Sequence, residues 1–274
     1  MGEWYDNIGE SILRFTLNQE SEKKPGYFKY TCTSDLYDEN NSFGVGAAVY
    51  ALKILYTLNY QNKERITNAV RNILKYAGER YIYDPLVYRK YFLRNILSSL
   101  RHKKFHNFLN VEYKRAETRQ AVSIINKVSD LNYYDNNLPC FYTENEFNSF
   151  TNSLNWRKPW AAGSHLSHYM YYNQHNYNTG NINKENYDFF NKECTKFINS
   201  IYNKNDGCWG FSKNHSRESV NGAMKILTGF AAINSVPDLD CKKLIDTCLM
   251  HTDIHHACDK FNVIYVLSQI VYLY

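Results

Sequence analysis

Hydrophobic and polar positions along this chain of 274 residues recur at helical spacing in two styles. In "KRAETRQAVSIINKV" (Lys114 to Val128), Ala121, Ile124, Ile125 and Val128 fall at i, i+3, i+4 and i+7, one face of a helix. Lys63 to Gly78, Lys184 to Lys204 and Asp240 to Thr252 each carry one apolar stripe and one charged face, which predicts surface helices. Ser34 to Leu58, "KPWAAGSHLSHYMYY" (Lys158 to Tyr172), Arg217 to Ile233 and His255 to Tyr274 have a different grammar. Each opens on a polar cluster, passes through small residues and becomes apolar nearly all round, a pattern that predicts burial on every side.

The opening clusters lie near residues 39, 117, 164, 219 and 258, and the wide first gap leaves room for one more unit at Glu79 to Leu97. Inner and outer helices alternating at a period of roughly 40 to 55 residues predict a helical solenoid or a closed ring of hairpins. A ring would set every inner-helix N-terminus on one rim.

Composition narrows the class. Five Pro and twelve Gly are few for a β-sandwich with its tight turns, and 44% apolar residues suffice for a substantial core. No stretch has linker composition, so the expectation is a single all-α domain over 1–274. The net charge is +5, but Lys and Arg are scattered; the densest basic run, Leu100 to Phe108, reads as a solvated loop, and nucleic acid is not an expected partner. Seven Cys without a CxxC pair, and an N-terminus without a basic-then-apolar leader, predict reduced thiols in the cytoplasm. The most apolar run, Phe261 to Tyr274, is too short to cross a bilayer, so no transmembrane segment is expected. Tyr and Phe are abundant together with Lys, Asn and Ile, as in AT-rich coding, so their number alone does not signal a ligand surface.

Candidate chemistry concentrates where the inner helices are expected to start. Glu117 and Arg119 in "AETRQ" place a carboxyl beside a guanidinium there; Glu218 with Asn221, and Asp259 with Asn262, repeat the arrangement. Helix capping explains each singly. Their recurrence raises the acid/base reading, because carboxylates facing one another diverge in pKa. Asp38 and Glu39, with Asp35, crowd a loop that would bind a cation or a cationic group, or else form a solvated turn. His165 and His168 share a helix face at i, i+3, but no compact ligand set accompanies them, so hydrogen-bonding roles are expected and no metal. Trp160 and Tyr169 offer faces for a sugar ring or a cation, Trp160 being the stronger candidate because it directly precedes the small-residue turn.

The piece "NDGCWGFSKN" (Asn205 to Asn214) ahead of "ESVNGAMKIL" resembles the Gly-Trp loops of α/α-toroid folds, the terpenoid cyclases, protein prenyltransferases and, more distantly, six-hairpin glycosidases. "RYIYDPLV" is similar to a decayed copy of that loop. "NGAMKIL" followed by "HACDKFNVIYVL" resembles a group of bacterial proteins associated with surface-polysaccharide biosynthesis. The resemblance implies an α/α toroid with its pocket at the inner-helix N-termini. It does not carry over a reaction: "DLDC" (Asp238 to Cys241) and "DLYDEN" (Asp35 to Asn40) do not match the DxDD acid of cyclases. "DTC" (Asp246 to Cys248) has prenyltransferase zinc spacing but lies on an expected outer helix, so no cofactor is expected.

The resulting expectation is an enzyme acting on a glycan or lipid-linked glycan by carboxylate chemistry. Glu117, Asp38 and Asp259 would be its acid/base groups, and His165 or His168 would orient the substrate. Arg119 would hold an anion; Trp160, Tyr169, Glu218, Asn221 and Glu39 would complete the binding surface. Two alternatives stand beside it: a terpenoid-cyclase-like enzyme with a deep apolar cavity, and a non-catalytic toroid whose rim acids are all neutralised by caps or ion pairs.

Overall fold

A computed structural model describes residues 2–29, 44–101, 111–128, 136–212, 216–250 and 256–273. The described residues form eleven helices and one two-stranded hairpin, an all-α protein. Asp38 and Glu39 lie outside them. The chain divides into two compact units, 1–136 and 137–274.

The first unit contains α1 (Gly2–Asn18), α2 (Val45–Thr57), α3 (Lys63–Leu74), α4 (Pro85–Arg101) and α5 (Val111–Val128). Its centre is α2, apolar on most of its circumference, which packs on α1, α3 and α5. Leu52, Leu55, Ile73, Val122 and Ile125 are buried there. The Asn62 side chain accepts the Arg65 N–H and starts α3, with Glu64 in the first turn complementing the helix dipole.

Two expectations are corrected here. α5 starts at Val111, so Glu117 and Arg119 sit in its second and third turns rather than at its start. The helix begins three residues ahead of Lys114, and its first turns bury Arg115. The C-terminal helix α11, expected to be buried on every side, leaves Phe261, Ile264, Val271 and Tyr272 60–87% exposed; among the described elements its main packing is on α9 and α10.

The second unit holds α6 (Glu144–Ser153), α7 (Pro159–Asn178), α8 (Lys184–Ser200), the hairpin β1 (Tyr202–Asn203) and β2 (Cys208–Trp209), α9 (Arg217–Ala232), α10 (Cys241–Met250) and α11 (Ala257–Leu273). α7 packs on α8 and α9, and α9 packs on α11 and β2. The α7–α9 contact is close because glycines line it. A Cβ on Gly222 would lie 2.7 Å from Pro159 Cβ, and one on Gly163 would lie 3.3 Å from Ile226 Cδ1. One on Gly229 would reach the Ser167 backbone at 3.1 Å. Residues 159, 163 and 167 thus meet 222, 226 and 229 in order, so the two helices run parallel. Asp259 and Asn262 of α11 meet Arg217 and Asn221 of α9 in the same sense. All three helices therefore start at one end of the unit.

The "NDGCWGF" loop fixes that end. Gly207 (φ +69°) lets the hairpin approach the α10 backbone, and Gly210 (φ +103°) does the same against Trp156. Thr247 Oγ1 donates to the Asp206 carbonyl, and the Phe211 N–H donates to the Trp156 carbonyl at 2.7 Å. Trp209 is buried beneath the hairpin and anchors it. This loop delivers the chain to Ser216, whose hydroxyl accepts the Ser219 N–H and starts α9.

Candidate functional site

The starts of α7, α9 and α11 carry a connected polar network. On α11, Asp259 is buried in its first turn. Its Oδ2 accepts Nε–H of Arg217 at 2.7 Å, and its Oδ1 accepts the Asn221 amide at 2.9 Å. Asn221 Oδ1 in turn accepts the Asn262 amide at 2.7 Å. The Arg217 guanidinium lies over the Trp160 ring, 5.2 Å from its centroid. Glu218 Oε2 accepts the Trp160 N–H at 3.4 Å. Each helix thus lends an acid to the helix before it: α11 to α9, and α9 to α7. Lys158, the residue preceding α7, makes no side-chain cap, and Glu218 supplies from outside what α7 lacks locally.

Electrostatics follow from this wiring. Burial pushes the Asp259 carboxyl up, but the hydrogen bonds from Asn221 and Arg217 and the Arg217 charge outweigh it. The net result holds it below the ordinary Asp range, an ionised anchor rather than a proton donor. Arg217 itself is half-exposed, with Nε committed to Asp259. Its two terminal nitrogens make no hydrogen bond among the described residues and remain available to an anion.

Trp160, Glu218, Asn221 and Asp259 are therefore brought together. His165 and His168 lie five and eight residues further along α7, their rings 6.4 Å apart and edge-to-face, with His168 buried. Tyr169 sits in an aromatic cluster with Phe141 and Phe150, at centroid distances of 4.4 and 4.7 Å. Among the described residues no three His, Cys, Asp or Glu side chains gather as metal ligands. Burial pushes the Cys140 and Cys248 thiols up to about 12, so neither is a thiolate near neutrality.

Glu117 belongs to a second cluster, in the first unit. Its Oε2 accepts the Asp84 N–H at 3.0 Å, just ahead of Pro85 at the start of α4. The neighbouring Thr118 hydroxyl accepts the Ile82 N–H at 2.9 Å and pins the same segment. Burial raises the Glu117 carboxyl, the Asp84 charge adds to the rise, and hydrogen bonds from Asp84 N–H and Tyr113 only partly offset it. Asp84 is completely buried, and its charge, after burial itself, helps push the Tyr76 hydroxyl up to about 12. Arg119 acts on Lys53 of α2. Burial first, then the charges of Arg119 and Lys127, lower the Lys53 ammonium to about 8.

Sequence reasoning missed Arg217 and Asp84 as site residues. Both left a trace: a cation directly after the Ser216 cap opposes the helix dipole and needs another reason, and an Asp before Pro marks a helix start.

No protein-family model, curated protein or solved structure matches this chain.

Proposed function

We propose that the protein is an α/α-toroid enzyme acting on a glycan or lipid-linked glycan, and that the starts of α7, α9 and α11 bind an anionic sugar. The toroid reading is supported by the parallel helices α7, α9 and α11, by the amphipathic α8 and α10 that alternate with them along the chain, and by the hairpin that precedes α9. One observation carries the binding reading. Arg217 is held in one orientation by Asp259 and Trp160 while its terminal nitrogens stay open. A guanidinium fixed on an aromatic face suits a ring bearing a carboxylate or phosphate. Preorganisation lowers the ordering cost of binding.

The acid/base role is proposed for Glu117 within the first unit, as a site of its own apart from the Arg217 surface. Glu117 is the described carboxyl in the candidate set whose surroundings favour the protonated form, the requirement for protonating a leaving oxygen. Asp259 acts through Arg217 and is a positioning residue. Incubating the protein with acidic free and lipid-linked oligosaccharides, and following bond cleavage or transfer by mass spectrometry, tests the proposal. Turnover is expected for the wild type and its loss for Glu117→Gln; full activity in that variant would remove the acid/base assignment.

A non-catalytic glycan-binding module is the second reading, favoured by the full occupancy of Asp259 by Arg217 and Asn221. It expects binding that depends on Arg217, with no turnover by any variant.

A further inference from the structure

A cavity of about 870 Å³ lies within the first unit. One wall is a single face of α3: Lys63, Ile66, Thr67, Val70, Arg71 and Leu74, at the i, i+3, i+4, i+7, i+8, i+11 spacing of a helix stripe. The α2–α3 turn forms the second wall and the end of α5, with Lys127, the third.

The turn is rigid. Asn59 takes the left-handed conformation (φ +53°), and the Tyr60 N–H donates back to the Leu55 carbonyl at 2.9 Å. Gln61 Nε2 bonds the Asn59 carbonyl and side chain at 2.9 and 2.7 Å, and Arg65 donates to the Tyr60 hydroxyl at 3.3 Å. The Tyr60 ring and the Asn59 and Gln61 amides are therefore tethered on the wall, and the Tyr56 ring lines it beside them.

Among the described residues the charge is one-sided: Lys63, Arg71 and Lys127 line the cavity, no described acidic residue does, and none of the three has a carboxylate partner there. Lys127 instead lies 5.5 Å from the Tyr56 ring centroid. Like charges gathered around a concave surface raise its potential and draw in anions. Ile66, Val70 and Leu74 form an apolar strip between the cations of α3, and Lys63 and Arg71 are about 12 Å apart along the axis. The volume lies within the range of small-molecule sites.

We infer that this cavity binds a phosphate-bearing small molecule with a flat ring, of the size of a nucleoside diphosphate. The ring would lie against the tyrosines and the apolar strip, and the phosphates would pair with Arg71 and Lys127. The site is independent of Arg217 and of the glycan reading.

Isothermal titration of the full chain with uridine 5′-diphosphate, uridine and inorganic pyrophosphate tests this. Saturable binding is expected for the diphosphate, weaker binding for pyrophosphate, and the weakest for uridine, with affinity falling as salt rises. Arg71→Gln and Lys127→Gln are exposed substitutions that leave the core intact; each is expected to weaken binding by about tenfold. Arg217 does not line the cavity, so Arg217→Gln is expected to leave the affinity for the diphosphate unchanged. Absence of saturable binding by the wild type, or unchanged affinity in the Arg71→Gln, Lys127→Gln double variant with native circular dichroism, would overturn the inference.

Discussion

Asp259 and Arg217, forty-two residues apart in sequence, meet at 2.7 Å with the carboxylate buried and the guanidinium half-exposed. The pair joins the start of α11 to the start of α9 and, through the Trp160 ring, to α7. Because one partner reaches solvent, the pair both locks the helix starts and presents a cation.

Replacing Asp259 with Asn removes the charge while keeping most of the shape. Loss of charge-assisted hydrogen bonds costs about 1–2 kcal/mol here, less than for a fully buried pair because Arg217 regains water. Urea unfolding monitored by tryptophan fluorescence should show a lower midpoint with an unchanged slope. The pH dependence has a definite sign. The folded carboxyl titrates below the unfolded one, so its stabilisation is present above about pH 4 and disappears as pH falls through the lowered value. Asp259→Asn should therefore lose more stability at pH 6 than at pH 3.

The Gly222 position tests the close approach of α7 and α9. An added methyl would lie 2.7 Å from Pro159 Cβ and 3.1 Å from the Pro159 backbone. Neither can rotate away, so Gly222→Ala should cost about 2 kcal/mol by overpacking. Pro159 precedes Trp160, so Arg217-dependent ligand binding should weaken with it. Thermal unfolding and a binding titration on the same sample measure both.

Glu117 has the opposite linkage to Asp259. Its folded pKa is raised, so its contribution is fully present below the unfolded carboxyl range and is lost as pH rises through the folded value. Glu117→Gln keeps an acceptor for the Asp84 N–H and removes the ionisation; its stability should match the wild type at pH 4 and exceed it at pH 7. Glu117→Ala leaves that buried N–H without its acceptor and should cost about 1–2 kcal/mol at both values.

Lys53 should be the most readily acylated half-buried amine near pH 8, since burial, Arg119 and Lys127 bring its ammonium down to about 8. Arg119→Gln should raise its titration midpoint. Acetic anhydride labelling across a pH series, read by peptide mass spectrometry, reports both. An unchanged Lys53 midpoint in that variant would contradict the electrostatic coupling.

Helix existence was legible from hydrophobic spacing wherever a stripe or an apolar run is long, as in α5, α8 and α9. α6 was not, because "ENEFNSFTNS" is polar apart from Phe147 and Phe150; its signal is the capping box of Thr143 and Glu146, whose side chains bond each other at 2.8 Å. The recurrence of acids near 218 and 259 was readable, but their targets were not. Glu218 caps another helix and Asp259 holds another helix's Arg, and such pairings depend on tertiary packing that Gly163, Gly222 and Gly229 permit. Exposure of one α11 face was likewise hidden, since an apolar sequence does not reveal how many neighbours a helix finds.

Arg217, fixed by Asp259 on Trp160, is proposed to bind the anionic group of a sugar. The most direct measurement is a calorimetric titration of wild type and Arg217→Gln with a uronic-acid oligosaccharide at low and moderate salt. Saturable binding is expected for the wild type, weakened by salt and reduced about tenfold or more in the variant. Equal affinity of the two proteins, or no binding by either, would contradict it.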